Sequence, residues 1–147
     1  MGFAFLDRWR TRRDAAEAGP VRYGAGTDVP GSLGEMFSEC ALLRERALDS
    51  GLRLDDSAAS LRALDQLVPV WRDDPDAAEW LGHDAGLYLG TVMVRTVPGA
   101  EWELLPDGSP RVVLANGREV DTVAMGEAWA AEGSPELAAE YARVYSG

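Results

Sequence analysis

The sequence predicts an α+β fold: a predominantly helical single domain with a small three-stranded antiparallel β-meander. Three observations lead there. Apolar residues recur at helical spacing over most of the chain after Ser32. Two hairpin dipeptides, Asp107-Gly108 and Asn116-Gly117, separate short alternating runs. The 147 residues suit one domain, which at that size buries roughly two-thirds of its unfolded surface. The expected organisation is an amphipathic N-terminal helix over 1–18, a Gly/Pro connector over 19–31 and a single α+β domain over 32–147.

In the first helix Phe5, Leu6 and Trp9 share one side and Arg10, Arg12 and Arg13 follow. Aromatic residues beside arginine suit a membrane surface or a partner, and equally a terminal helix packed on its own domain. Four glycines and two prolines then mark the connector. Ser32 and Glu35 form a capping box for a helix through Met36, Phe37, Cys40, Leu43 and Ala47, closed by Gly51. Asp56 or Ser57 caps the next, whose apolar stripe is Leu61, Leu64, Val68 and Trp71. Pro69 lacks an amide donor, so a kink or an end is expected near it.

Asp74-Pro75 is an N-cap and N1 pair for a further helix, with Asp76 and Glu79 complementing its positive end. Leu81, Ala85, Leu89 and Val92 form one face of that helix, and Gly82, Gly86 and Gly90 lie four apart on the neighbouring ridge. Glycine costs about 1 kcal/mol in a helix relative to alanine. Three in register imply close approach along the ridge, by another element of the domain or by a partner or ligand. Trp80, Leu87, Gly82, Gly86 and Gly90 are therefore the candidate interaction surface. The β-branched run from Thr91 to Val97 also fits a strand.

The meander is expected from Glu101–Leu105, Arg111–Ala115 and Arg118–Val120, with Trp102, Leu104, Val112 and Leu114 facing inward. Asp121 caps a helix carrying Val123, Met125, Ala128 and Trp129 up to Gly133. Ser134 and Pro135 start a last helix with Leu137, Tyr141, Val144 and Tyr145.

The run DAGLYLGTVMVRTVPGAEWELL, Asp84 to Leu105, holds the pattern G-x-Y-L-G-x-V and, further on, a Trp. Together with FLDRWR, LDQLVPVWRDD and ELAAEYARV, it resembles a family of small actinobacterial proteins known as a domain of unknown function. The resemblance covers nearly all of the chain and supplies no catalytic residues.

Composition removes several function classes. Every basic side chain is an arginine, so a P-loop and a Schiff-base enzyme, which both need lysine, are excluded. One His and one Cys cannot build the usual zinc site. The net charge is −11, and residues 1–22 carry five Arg against three acids, leaving nine Arg against 22 acids in the rest. Such a body lacks the cation stripe that phosphate backbones require, so no nucleic-acid partner is expected. Catalysis by Cys40 and His83 would need two helices to align them, with Cys40 on an apolar stripe and His83 on the Glu79 face. Ser109 belongs to a turn. No catalytic, cofactor-binding or metal-binding residue is therefore expected.

A lone Cys, no apolar leader with a cleavage site and no membrane-length apolar run point to the cytoplasm. The resulting expectation is a cytoplasmic, non-enzymatic protein-interaction or regulatory domain, acting through an acidic helical face or an aromatic surface. Two alternatives accompany it. One is a small-molecule-binding protein or carboxylate-based hydrolase with its pocket between the glycine-ridge helix and the sheet; the other is a peripheral membrane protein held by its N-terminal helix.

Overall fold

A computed structural model describes residues 21–24, Phe37 and residues 39–146. The expected helix over 1–18 and the Ser32/Glu35 capping box lie outside the described residues. The described elements are β1 (Val21–Gly24), α1 (Ala41–Asp49), α2 (Ala58–Trp71), a single turn α3 (Pro75–Ala78), α4 (Leu81–Thr96), β2 (Glu101–Leu104), β3 (Pro110–Val113), β4 (Glu119–Val120), α5 (Thr122–Glu132) and α6 (Leu137–Ser146). The fold is α+β and mostly helical, as the periodicity predicts.

The sheet is a meander in the order β1-β2-β3-β4, every neighbouring pair antiparallel. Both hairpin turns stand where the dipeptides place them, with Gly108 and Gly117 each at φ 87°, a conformation that costs glycine nothing. The three expected strands are present as β2, β3 and β4, and a further strand, Val21–Gly24 inside the expected connector, joins them by pairing with β2 from Val21↔Leu104 to Gly24↔Glu101. Four residues between glycine-rich flanks carry too short a pattern to read, and their partner lies some eighty positions away; pairing covers what would otherwise be an open edge of β2.

Helix α1 brings a correction. Phe37 and Glu39 are helical, but Cys40 turns left-handed at φ 41° and separates them from Ala41. Cys40 gives no side-chain cap. Instead the Asp84 carboxylate on α4 accepts from Leu43 N at 3.2 Å, satisfying one of the orphan amides of the first turn from outside the helix. Helix α2 follows its stripe: Ser57 caps it by accepting from Ser60 N, Leu61, Leu64, Val68 and Trp71 are buried, and it ends two residues past Pro69.

Asp74 and Pro75 do begin a helix, with Asp74 accepting from Asp76 N, but that helix lasts one turn. Glu79 and Trp80 make a turn and α4 starts anew at Leu81. The β-branched run is helical up to Thr96 rather than a strand. Thr91 and Thr96 each donate their hydroxyl to the carbonyl four residues earlier, which satisfies the hydroxyl within the helix.

The centre of the molecule is α4, buried almost throughout from Leu81 to Val94. Its glycine ridge is filled from within the chain. A Cβ on Gly86 would stand 2.5 Å from Thr122 O and Val123 Cα, one on Gly82 2.8 Å from Glu127 Cα, and one on Gly90 2.2 Å from the Trp102 indole. The facing residue on α5 is Gly126, whose Cβ would stand 2.3 Å from Gly82 O and 2.6 Å from Gly86 Cα. Two helix backbones therefore touch along Gly82, Gly86 and Gly126, and the Trp102 ring of the sheet lies over Gly90.

The last helix is tied in by Asp65 of α2. Its carboxylate accepts from Trp129 Nε1 at 2.8 Å, from Leu137 N at 2.9 Å and from Ala138 N at 3.1 Å. The expected cap of α6, Ser134 with Pro135, is thus replaced by a carboxylate from another helix, which joins α2, α5 and α6 at one point.

The glycine contact predicts a stability effect opposite to helix propensity. Gly86→Ala gains about 1 kcal/mol of propensity but drives a Cβ into backbone atoms of the facing helix, and overpacking against unyielding backbone costs about 3 kcal/mol, the upper end of the usual range. Chemical denaturation should show a net loss of about 2 kcal/mol, whereas an unchanged or raised midpoint would show that the helices do not touch there.

Candidate functional site

His83 stands at the start of α4, exposed, and beside it Gly82 lies against Glu127 of α5. The close approach of the two helix backbones leaves these side chains on the rim, where each borders two hollows. The larger, about 630 Å³, is a cleft walled by the β2–β3 hairpin (Leu105, Asp107, Ser109, Pro110, Arg111), by Glu119 and Asp121, and by Val123, Ala124 and Glu127 of α5. The smaller, about 390 Å³, is lined by Arg72, Ala78, Glu79, Leu81, Gly82, His83, Glu127, Ala130 and Ala131.

Most charged groups of the cleft are already engaged. Asp107 accepts from Ser109 N and Oγ and is held below the usual carboxylate range by those bonds. Asp121 caps α5 by accepting from Ala124 N. Arg111 donates to Glu103 at 2.5 Å and to Glu119 at 2.9 Å. Glu103 is 1 % exposed, and the strand register also places it opposite Arg22 of β1; a buried carboxylate with a guanidinium on it avoids the cost of an uncompensated charge. Among the described residues His83 and Glu127 make no hydrogen bond or ion pair, so of the titratable groups lining this cleft they are the two without a partner.

The candidate interaction surface read from the sequence is placed as follows. Gly82, Gly86 and Gly90 are covered by α5 and Trp102. Leu87 is buried, and Trp80 packs half-buried against the core. The close approach implied by the three glycines is therefore made by neighbouring elements of the domain.

Cys40 and His83 are not brought together. Cys40 is 4 % exposed, and its Sγ donates to Phe37 O at 3.4 Å. The charged groups acting on it are Asp84, Arg44, Asp56 and Glu39. Burial first, then the Asp84 charge, push its thiol up to about 12, so it is a small apolar filler rather than a nucleophile. Near it lies a network that sequence reasoning missed. The Tyr88 hydroxyl, buried, meets Ser60 Oγ at 2.6 Å and accepts from Asp56 N at 2.9 Å. Arg44 lies 5.2 Å from the Tyr88 ring centre and pairs with Asp56 at 2.8 Å. Arg95 reaches the same carboxylate at 3.3 Å. Burial raises the Tyr88 phenol, and its bond to Ser60 works in the opposite direction. Asp56 itself is left-handed at φ 65°, a backbone strain held in place by these contacts.

The comparison with known protein families then gives one finding. A family model described as a family of unknown function (DUF6278) matches residues 1–147. The chain belongs to that family. No curated protein and no solved structure matches it. Membership agrees with the expectation of a domain of unknown function, and the family's description assigns no activity to either hollow. Among the described residues no helix is long and apolar enough to cross a membrane, and no group of three His, Cys, Asp or Glu is placed to hold a metal ion.

The Cys40 environment makes two checkable statements. Dithionitrobenzoate at pH 8 should react with the folded protein at least a hundredfold more slowly than with the unfolded chain, since a thiol near 12 is roughly a thousandfold less ionised than one near 9.0. Because the folded value lies above the unfolded one, the stability from the neutral thiol is complete below pH 9.0 and is lost as pH rises toward about 12. Fast labelling of the folded state would contradict both.

Proposed function

We propose that this family member is a non-enzymatic, cytoplasmic binding domain whose partner is a protein offering a basic segment to the cleft between the hairpin, α4 and α5. The observation that carries this reading is the charge of the cleft: Asp107, Glu119, Asp121 and Glu127 line it against a single guanidinium, and that one, Arg111, is already paired with Glu103 and Glu119. The potential left over is negative. A cleft lined by one sign of charge draws in the opposite sign and raises the encounter rate. Leu105, Pro110, Val123 and Ala124 supply apolar wall for the stem of an arginine or lysine.

The same cleft supports a second reading, a small-molecule-binding protein, because its volume of about 630 Å³ falls within the usual range of ligand pockets. The hydrolase form of that reading is weaker. It needs two uncommitted carboxylates across one cleft, and Asp107, Asp121 and Glu119 are held by Ser109, Ala124 and Arg111 respectively.

Fluorescence anisotropy with a labelled peptide of alternating Arg and Gly tests the leading reading. The parent protein should bind with an affinity that falls as salt rises, and Glu127→Arg should weaken binding at least about tenfold. Indifference to that reversal, or no binding at low salt, would overturn it. Native mass spectrometry of protein taken gently from its own host separates the two readings: a stoichiometric protein companion supports the first, and a bound small-molecule mass the second.

A further inference from the structure

Arg72 is anomalous among the described arginines. Arg44, Arg46, Arg95, Arg111 and Arg143 each pair with a carboxylate. Arg53, Arg62 and Arg118 are exposed, where water serves their donors. Arg72 is half-buried, its Nε is shut off from solvent with no acceptor, and it makes no ion pair, although Glu79 and Glu127 line the same cavity of about 390 Å³.

The guanidinium is nevertheless held in place. It follows the last residue of α2, and the positive φ of Gly133 at the end of α5 leaves room for it: a Cβ there would stand 2.7 Å from Arg72 Nη2. The negative end of the α5 dipole favours a cation at that point but gives no hydrogen bond to its Nε. Arg72 lines the hollow without an ion pair among the described residues, and a guanidinium is shaped for bidentate contact with a carboxylate.

An anion alone does not suit the cavity, because two carboxylates without partners, Glu79 and Glu127, share its lining. A cation alone would engage the carboxylates and leave Arg72 without an acceptor. A molecule bearing both charges answers both, and Ala78, Leu81, Ala130 and Ala131 give it an apolar wall. We propose that this cavity binds a small zwitterion of the free amino-acid class, its carboxylate on Arg72, its ammonium on Glu127 and Glu79, and its side chain against the alanines and Leu81. The inference concerns a different hollow and a different ligand from the basic-segment reading and does not rest on it.

The test uses the whole chain and the free amino acids, each at millimolar concentration, followed by thermal shift and by amide chemical-shift changes. At least one with an apolar side chain should raise the melting temperature and move the amides of Arg72, Glu79, His83 and Glu127. Its N-acetyl and carboxamide derivatives, each lacking one charge, should bind at least about tenfold more weakly.

Arg72→Met keeps the stem and removes the charge. It should leave the unliganded protein as stable as the parent or more so, since a buried Nε without an acceptor is lost, and it should abolish the amino-acid shift. Three results would each overturn the proposal: no amino acid perturbs these amides, the capped derivatives bind as well as the free one, or Arg72→Met destabilises the empty protein and still responds to the ligand.

Discussion

The rest of the structure depends on the contact between the backbones of α4 and α5. Gly82 and Gly86 on one helix and Gly126 on the other leave no Cβ at the points of closest approach, so main-chain atoms touch where side chains normally hold helices 8–10 Å apart. That closeness fixes the rest. It turns Leu81, Ala85, Leu89 and Val92 toward the core, and it brings Gly90 to the position where Trp102 lies across it. The sheet is thereby anchored, and Phe37 packs on Trp102 with ring centres 5.0 Å apart. The cost in helix propensity is offset by dispersion contacts that a Cβ would forbid.

A second constraint is how this acidic chain uses its carboxylates. Asp84 serves the first turn of α1, Asp74 that of α3, Asp121 that of α5 and Asp65 that of α6. Anionic groups at helix N-termini satisfy orphan amides and meet the positive end of the dipole. Part of the negative charge is thus structural, and two of these four caps come from a different helix. Against that background His83, Glu79, Glu127 and Arg72, which make no ion pair among the described residues, gather around one end of the α4–α5 seam. The functional reading of the molecule concentrates there.

What the sequence makes legible follows the range of each interaction. Asp107-Gly108 and Asn116-Gly117 specify their turns through local backbone chemistry, and Asp74 and Asp121 cap helices a few residues away, as does Ser57, one of the two caps the sequence offers there. The stripe from Leu61 to Trp71 is equally local. The pairing of β1 with β2, the capping of α1 by Asp84 and of α6 by Asp65, and the left-handed Cys40 are settled by residues distant in the chain, and no pattern near them signals the outcome. The glycine ridge lies between these cases. Gly82, Gly86 and Gly90 reveal a close approach, and Gly126, an isolated glycine in a helix otherwise rich in alanine, is the signal that would have named its partner. For the candidate site, Glu127 and Arg72 were invisible, since only the fold places the end of α2 beside α5 and the start of α4.

The measurement that tests the central claim most directly is a nuclear Overhauser experiment on isotope-labelled protein, reading the α protons of Gly86 and Gly126. A backbone-to-backbone seam predicts strong cross-peaks between them, because a Cβ at Gly126 would lie 2.6 Å from Gly86 Cα. Absence of those cross-peaks, with the α protons of Gly82 and Gly86 instead exposed to a solvent-borne paramagnetic probe, would contradict the account and return the ridge to the surface.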